Sequence, residues 1–227
     1  MKKSVRHTLI VLFSLIPMVY TWLMWEKIPE TVAIHFDAEM KPNGFAEKSS
    51  LGWNMLLMWA ITIGVYFLLE FIDRIDPKRR GKPVPPIFSK VAVTIVLFLT
   101  ALNLLIVMAS VYPQQNLTVR MLNPLIGLLI AVLGNFMHNI KPNYFAGIRL
   151  PWTLASDYNW KKTHMLSGKV WFISGILFAA LSLILPGGAL AVALNIFIAV
   201  IIIVPVSYSF MLYKNEHKKD GYFDKEQ

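Results

Sequence analysis

The chemically versatile side chains of this 227-residue sequence are its five histidines and 13 carboxylates, and it has no cysteine. Disulfides, thiolate metal sites and cysteine nucleophiles are therefore excluded. His35, Asp37 and Glu39 alternate, so an extended strand would set all three on one face, as an oxygen-rich cation site or as an ordinary solvated surface. Asp157 and His164 are seven residues apart, about 10.5 Å along a helix, and form no base–orienter pair. Trp160 and His164 stand one turn apart, which predicts a packed or stacked histidine. His138 and His164 lack a suitably placed carboxylate. The reading is of no catalytic residue, no metal and no cofactor, and hence not an enzyme.

Arg149 poses a different question. It lies in an apolar stretch, between Tyr144-Phe145-Ala146-Gly147-Ile148 and Leu150-Pro151-Trp152, near Lys141. An unpaired charge in hydrocarbon costs several kcal/mol. Either Arg149 lines a pocket for a phosphate, a carboxylate or a partner's acidic patch, or it snorkels to lipid phosphates beside Trp152 as an interface anchor. Glu70 lies four residues before Arg74 and predicts an ion pair within one helix.

The elements that must hold these residues are dictated by composition: 56% of the chain is hydrophobic and 15% charged. A bilayer core takes roughly 20 apolar residues to cross as a helix. Six runs meet that requirement, at about 8–25, 52–72, 91–111, 121–140, 168–185 and 189–212. The first follows Lys2, Lys3 and Arg6 as a signal peptide would, but it is too long and lacks a small-residue cleavage site, so it is expected to be retained. The fold class is thus all-α, a single six-span membrane domain over 1–227 with a short hairpin-like cap. On the fifth span, Gly168, Gly175, Ala179 and Ser182 form a small-residue stripe for close packing.

The net charge of +9 raises nucleic acid as a partner, and its distribution removes it. Eighteen of the 22 lysines and arginines fall in alternate connecting segments, which is an orientation signal. Both termini and the 138–168 loop are expected on the cytoplasmic side of the membrane, and the 26–51 loop outside. Residues 73–90, basic and proline-rich, are expected to meet anionic membrane lipids.

Two loops exceed what a connection needs. In 26–51, Thr31–Phe36 alternates as a strand does, and Lys41-Pro42-Asn43-Gly44 is a turn, so a hairpin is expected. In 138–168, two prolines and Gly147 interrupt any helix in the first half. Thr153 or Ser156 then offers an N-cap for a helix that enters the fifth span. Trp160, His164 and Trp171 fall near one face of it, and Lys161, Met165 and Lys169 on another.

The second loop resembles the SdpI family in Lys141-Pro142-Asn143, Gly147-Ile148-Arg149, Pro151-Trp152-Thr153-Leu154, Trp160, Thr163-His164 and Gly168. The first, from Ile28-Pro29-Glu30 through Ile34-His35-Phe36 to Asn43-Gly44-Phe45 and Lys48, is similar to the small uncharacterised module that commonly precedes that signature. Leu150, where a Thr or Ser is expected, and Ala38-Glu39-Met40, where a Gly is usual, depart from the pattern. The resemblance implies a membrane immunity protein against a secreted sporulation-delaying peptide toxin, which in the founding example also holds a cytoplasmic repressor at the membrane. It implies toxin contact at His35, Phe36, Asp37, Asn43 and Gly44. It also implies an inner signature site of Lys141, Asn143, Arg149, Trp152, Thr153, Trp160 and His164. The competing reading is a membrane enzyme or transporter handling a lipid or amphiphile at a pocket around Arg149.

Overall fold

The computed structural model of the protein describes residues 3–36, 42–75, 85–112 and 117–223. In chain order the elements are α1 (Lys3–Ser14), α2 (Ile16–Leu23), a 3₁₀ turn (Trp25–Lys27), β1 (Thr31–Phe36), β2 (Pro42–Glu47), α3 (Lys48–Glu70), α4 (Ile72–Ile75), α5 (Pro86–Val111), α6 (Leu117–Met137), α7 (Pro151–Ala155), α8 (Asp157–Ser182) and α9 (Gly187–Phe223). Six stretches of the described residues are long and apolar enough to span a bilayer, with α1 and α2 together making the first. The protein is an all-α multi-pass membrane protein, as its hydropathy pattern predicts.

The spans extend past the apolar runs that announce them. α8 has 26 residues and α9 has 37, or about 39 and 56 Å of helix against a hydrocarbon core of about 30 Å. Their polar turns therefore project beyond the membrane and form, with α7, a layer at one end of the bundle. Exposed Trp22 and Trp53 mark the opposite interface.

Helix contact follows residue size. α6 and α8 run antiparallel, with Gly127 against Gly175 and Gly134 against Gly168. A Cβ on Gly175 would stand 2.5 Å from the Gly127 carbonyl oxygen, and one on Gly134 2.7 Å from the Phe172 amide. Any side chain there would force the helices apart, so the two backbones pack directly against each other. The small-residue stripe is thus a packing face. Pro205 within α9 deprives the Ile201 carbonyl of its helical partner, and the Trp171 indole of α8 donates to that oxygen at 2.9 Å.

Two apolar clusters set the ends. One gathers Tyr66, Ile72, Phe88, Ile140 and Trp160, with Ile10, Phe145 and Ala146 against it. The other gathers Ile28, Val32, Leu51, Met55, Val107 and Val111 beneath the hairpin. Residues 28–36 with 42–47, and the 138–156 segment, therefore occupy opposite ends of the bundle, and the N-terminal helix starts at the latter end.

Candidate functional site

After α6, the chain turns at His138-Asn139 and meets Pro142, which cannot continue the helix. Asn143 organises the turn that comes after it. Wholly buried, it accepts from the amides of Phe145 (2.8 Å) and Ala146 (2.7 Å) through Oδ1, and donates from Nδ2 to the carbonyls of Lys141 (2.8 Å) and Ala146 (3.0 Å). One side chain thereby satisfies four backbone groups that no secondary structure pairs.

Gly147 is next, with φ of 104°, and a Cβ there would lie 2.3 Å from His164 Nε2. Both its conformation and its space exclude any other residue. The absent side chain lets His164 reach the backbone, where its Nε2 accepts from the Ile148 amide at 3.1 Å. Its Nδ1 donates to the Trp160 carbonyl at 2.8 Å. One nitrogen donates and the other accepts, so the buried imidazole is held neutral with its proton on Nδ1. Trp160 stacks on it, with 4.0 Å between ring centroids and 17° between planes, and its indole donates to the Ile140 carbonyl at 2.7 Å.

The rest of the loop is tied to α9. The Thr153 hydroxyl accepts from the Leu150 amide at 2.9 Å and lies 2.8 Å from the Ile148 carbonyl, closing the first turn of α7. Trp152 donates to Ser209 Oγ at 3.0 Å and packs against Phe210 and Tyr213. Ser156 caps α8 through the Asn159 amide and donates to Glu216 at 2.8 Å. Buried Asn159 donates to the Ser209 carbonyl and accepts from Thr163.

Of the seven inner residues singled out in the sequence, the structure brings Asn143, Thr153, Trp160 and His164 into this one hydrogen-bonded frame, with Trp152 at its edge. Lys141 and Arg149 stay outside it. Arg149 is exposed, and its guanidinium donates to the Tyr144 carbonyl, closing the loop on itself. Both nitrogens of His164 are occupied within the frame. The arrangement can hold a shape, and it offers neither a free base nor a nucleophile paired with one.

At the other end, β1 and β2 pair antiparallel, with His35 opposite Gly44 and irregular register on either side of His35. The expected hairpin is present, but Pro42, Asn43 and Gly44, read from the sequence as its turn, lie in β2, where Gly44 pairs with His35 and Pro42 with Phe36, and Lys41 lies outside the described residues. Its alternation is incomplete: Val32 is buried, while Ile34 on the same expected face is 55% exposed, because the strand has left the helices behind by that point. His35 Nδ1 donates to Asn43 Oδ1 across the strands. The Phe36 side chain, and Asp37 and Glu39 entirely, lie outside the described residues, so the carboxylate face suggested by the alternation has no described counterpart.

The hairpin root holds a grouping that the sequence pattern does not reveal. Lys48, buried at the start of α3, has its ammonium 4.9 Å from the centroid of the Trp25 ring and 3.7 Å from Glu30 Oε1, and its amide donates to the Glu30 carbonyl at 2.8 Å. Glu30 and Lys48 are 18 positions apart, so no periodicity joins them.

Comparison with known proteins bears on both ends. The SdpI/YfhL protein family matches residues 139–209, and a domain of unknown function, DUF1648, matches 12–63. Residues 139–209 form an SdpI/YfhL module. The chain is also 21% identical to the immunity protein SdpI of Bacillus subtilis (strain 168), over 94% of its own length and 97% of that protein's. No solved structure matches it.

The SdpI/YfhL module is bounded as the hydrogen bonds are. It begins at Asn139, where α6 has ended, and closes at Ser209, the residue that receives both Trp152 and Asn159. Asn159 escapes a reading of the sequence because asparagine on a helix carries no pattern of its own; its full burial is the signal. One pairing is corrected: Glu70, with a side chain only 6% exposed, pairs with Arg6 of α1, and Arg74 lies over the Phe71 ring instead. Neighbouring His7 and Tyr66 join side chains at 2.8 Å. These links between α1 and α3 fasten the N-terminal helix to the end that carries the module.

Proposed function

We propose that this protein protects its cell from a secreted, membrane-active peptide toxin of the sporulation-delaying type. The observation that carries the reading is its likeness to an immunity protein along nearly the whole length of both chains, through the hairpin region and the 139–209 module alike. In this reading both termini and the module face the cytoplasm, in keeping with the skew of Lys and Arg toward that end. The hairpin then faces the incoming peptide. Its exposed Ile34 and Phe45, with His35 and Asn43 between them, offer an amphipathic peptide an apolar edge with polar anchors.

The module carries the resemblance but lies at the end away from the toxin. It therefore acts in this proposal as the frame that holds α8 and α9, and exposed Arg149 and Lys141 are its contacts to a cytoplasmic partner such as a repressor. The direct test is expression in a toxin-sensitive host with subsequent challenge by sporulation-delaying-type peptides. Survival well above an empty-vector control is the expected result, and equal killing would remove the reading. A single cysteine at Asn43 should react with an impermeant maleimide on whole cells, and one at Lys214 should not; the reverse pattern would invert the orientation.

A further inference from the structure

The basic end of the bundle carries a cleft separate from the frame. It holds about 510 Å³ between α6 and α8, and its polar rim is Asn135, His138, Lys161 and Lys169. Its floor is the Gly134–Gly168 crossing, where missing side chains let the backbones touch and leave open space above them. Among the described residues no carboxylate lines it and neither lysine has an acidic partner.

Lys169 sharpens the question. It lies twelve residues into α8, about 18 Å from the helix start, exposed at the edge of the apolar run where the helix enters the membrane. An ammonium at that boundary is best served by an anion that meets it there. Helical side chains lean toward the N-terminus, so Lys169 is directed back toward Lys161, two turns away at the membrane surface. Lys169 also borders a second groove, of about 520 Å³, between α8 and α9. That groove is almost wholly apolar and runs toward mid-membrane past Ile173, Leu177 and Ile196.

A basic cleft at headgroup depth, joined through one lysine to an apolar channel running inward, has the chemistry of one kind of ligand. We propose that the two together bind an anionic phospholipid, its phosphate between Lys161 and Lys169 and an acyl chain along the α8–α9 groove. The site does not depend on the immunity reading.

The test uses the full chain purified in detergent and titrated with dioleoyl phosphatidylglycerol by native mass spectrometry. Dioleoyl phosphatidylcholine and soluble glycerol phosphate serve as the tail-only and head-only probes. Phosphatidylglycerol should be retained in preference to both. Lys161→Gln with Lys169→Gln should weaken it about 30-fold, the effect of removing two cations near a phosphate. Lys90→Gln with Lys214→Gln removes equal charge from exposed positions at the same end and should change it less than about twofold. Leu177→Trp, which fills the groove without touching a charge, should also weaken retention. Equal retention of phosphatidylcholine, or equal loss in both double variants, would overturn the site. Glycerol phosphate competing as well as the lipid would reassign it to free phosphate and overturn the lipid assignment.

Discussion

At the hairpin end, Ile34 and Phe45 stand 55% and 61% exposed, and the strands are held by their own ladder, one His35–Asn43 bond and the Lys48 root. At the other end, Asn143, Asn159 and Thr163 have no exposed surface, and each has its hydrogen-bonding groups paired inside the protein. A buried polar frame tolerates little change, because removing one member strands the others. An exposed hairpin has few such dependencies and can vary. The difference suggests a division of labour: one end is free to differ in what it meets, and the other keeps the helices in register. It also accounts for much of the dense signature in 138–168, since Asn143, Thr153, Trp160, Thr163 and His164 each complete a bond for another group there.

The largest expected effect in breaking this contrast is at Gly147. Gly147→Ala places a methyl against His164 in a backbone region alanine disfavours, so a loss of about 3 kcal/mol or more is expected, with poor accumulation in membranes. A normal membrane level and unchanged thermal unfolding in detergent would show that the loop is not rigid. Asn143→Ala comes next, at about 2–3 kcal/mol, since it orphans buried backbone groups. Asn143→Asp should cost at least as much as Asn143→Ala at neutral pH, because it keeps the acceptor but sets a second, buried carboxylate oxygen against the Lys141 and Ala146 carbonyls. The smallest effect belongs to the hairpin: His35→Ala should shift unfolding by less than about 0.5 kcal/mol. A hairpin substitution as damaging as Gly147→Ala would erase the contrast.

Much of the fold is legible in the sequence because a bilayer imposes one strict length on apolar runs. Thus the six spans, the hairpin, the Ser156 cap and the Trp160–His164 stack all come from local spacing. The features that are not legible are joined across the chain. Glu70 has a cation four residues away, yet Arg6, 64 positions earlier, is its partner, because packing α1 on α3 brings Arg6 to it. Ser209 and Glu216 are ordinary residues until α9 delivers them to Trp152 and Ser156. Helix ends are also obscured, since the polar turns of α8 and α9 outside the membrane carry no hydropathy signal. The residues named for the two sites are recoverable from motif, but their division into frame and surface is not. Asn143 and Arg149 look equally polar in sequence, and only burial separates them.

The central claim, that the hairpin end selects the toxin while the module maintains the bundle, is tested most directly by exchanging residues 26–51 for the corresponding segment of a relative that guards against a different peptide. Survival of cells expressing equal amounts of the parent and the exchange protein would be scored against both peptides. The account predicts that protection moves with the hairpin, so that the exchange protein resists the relative's toxin and loses resistance to its own. Protection that remains with the spans and the 139–209 module, whichever hairpin is present, would contradict it.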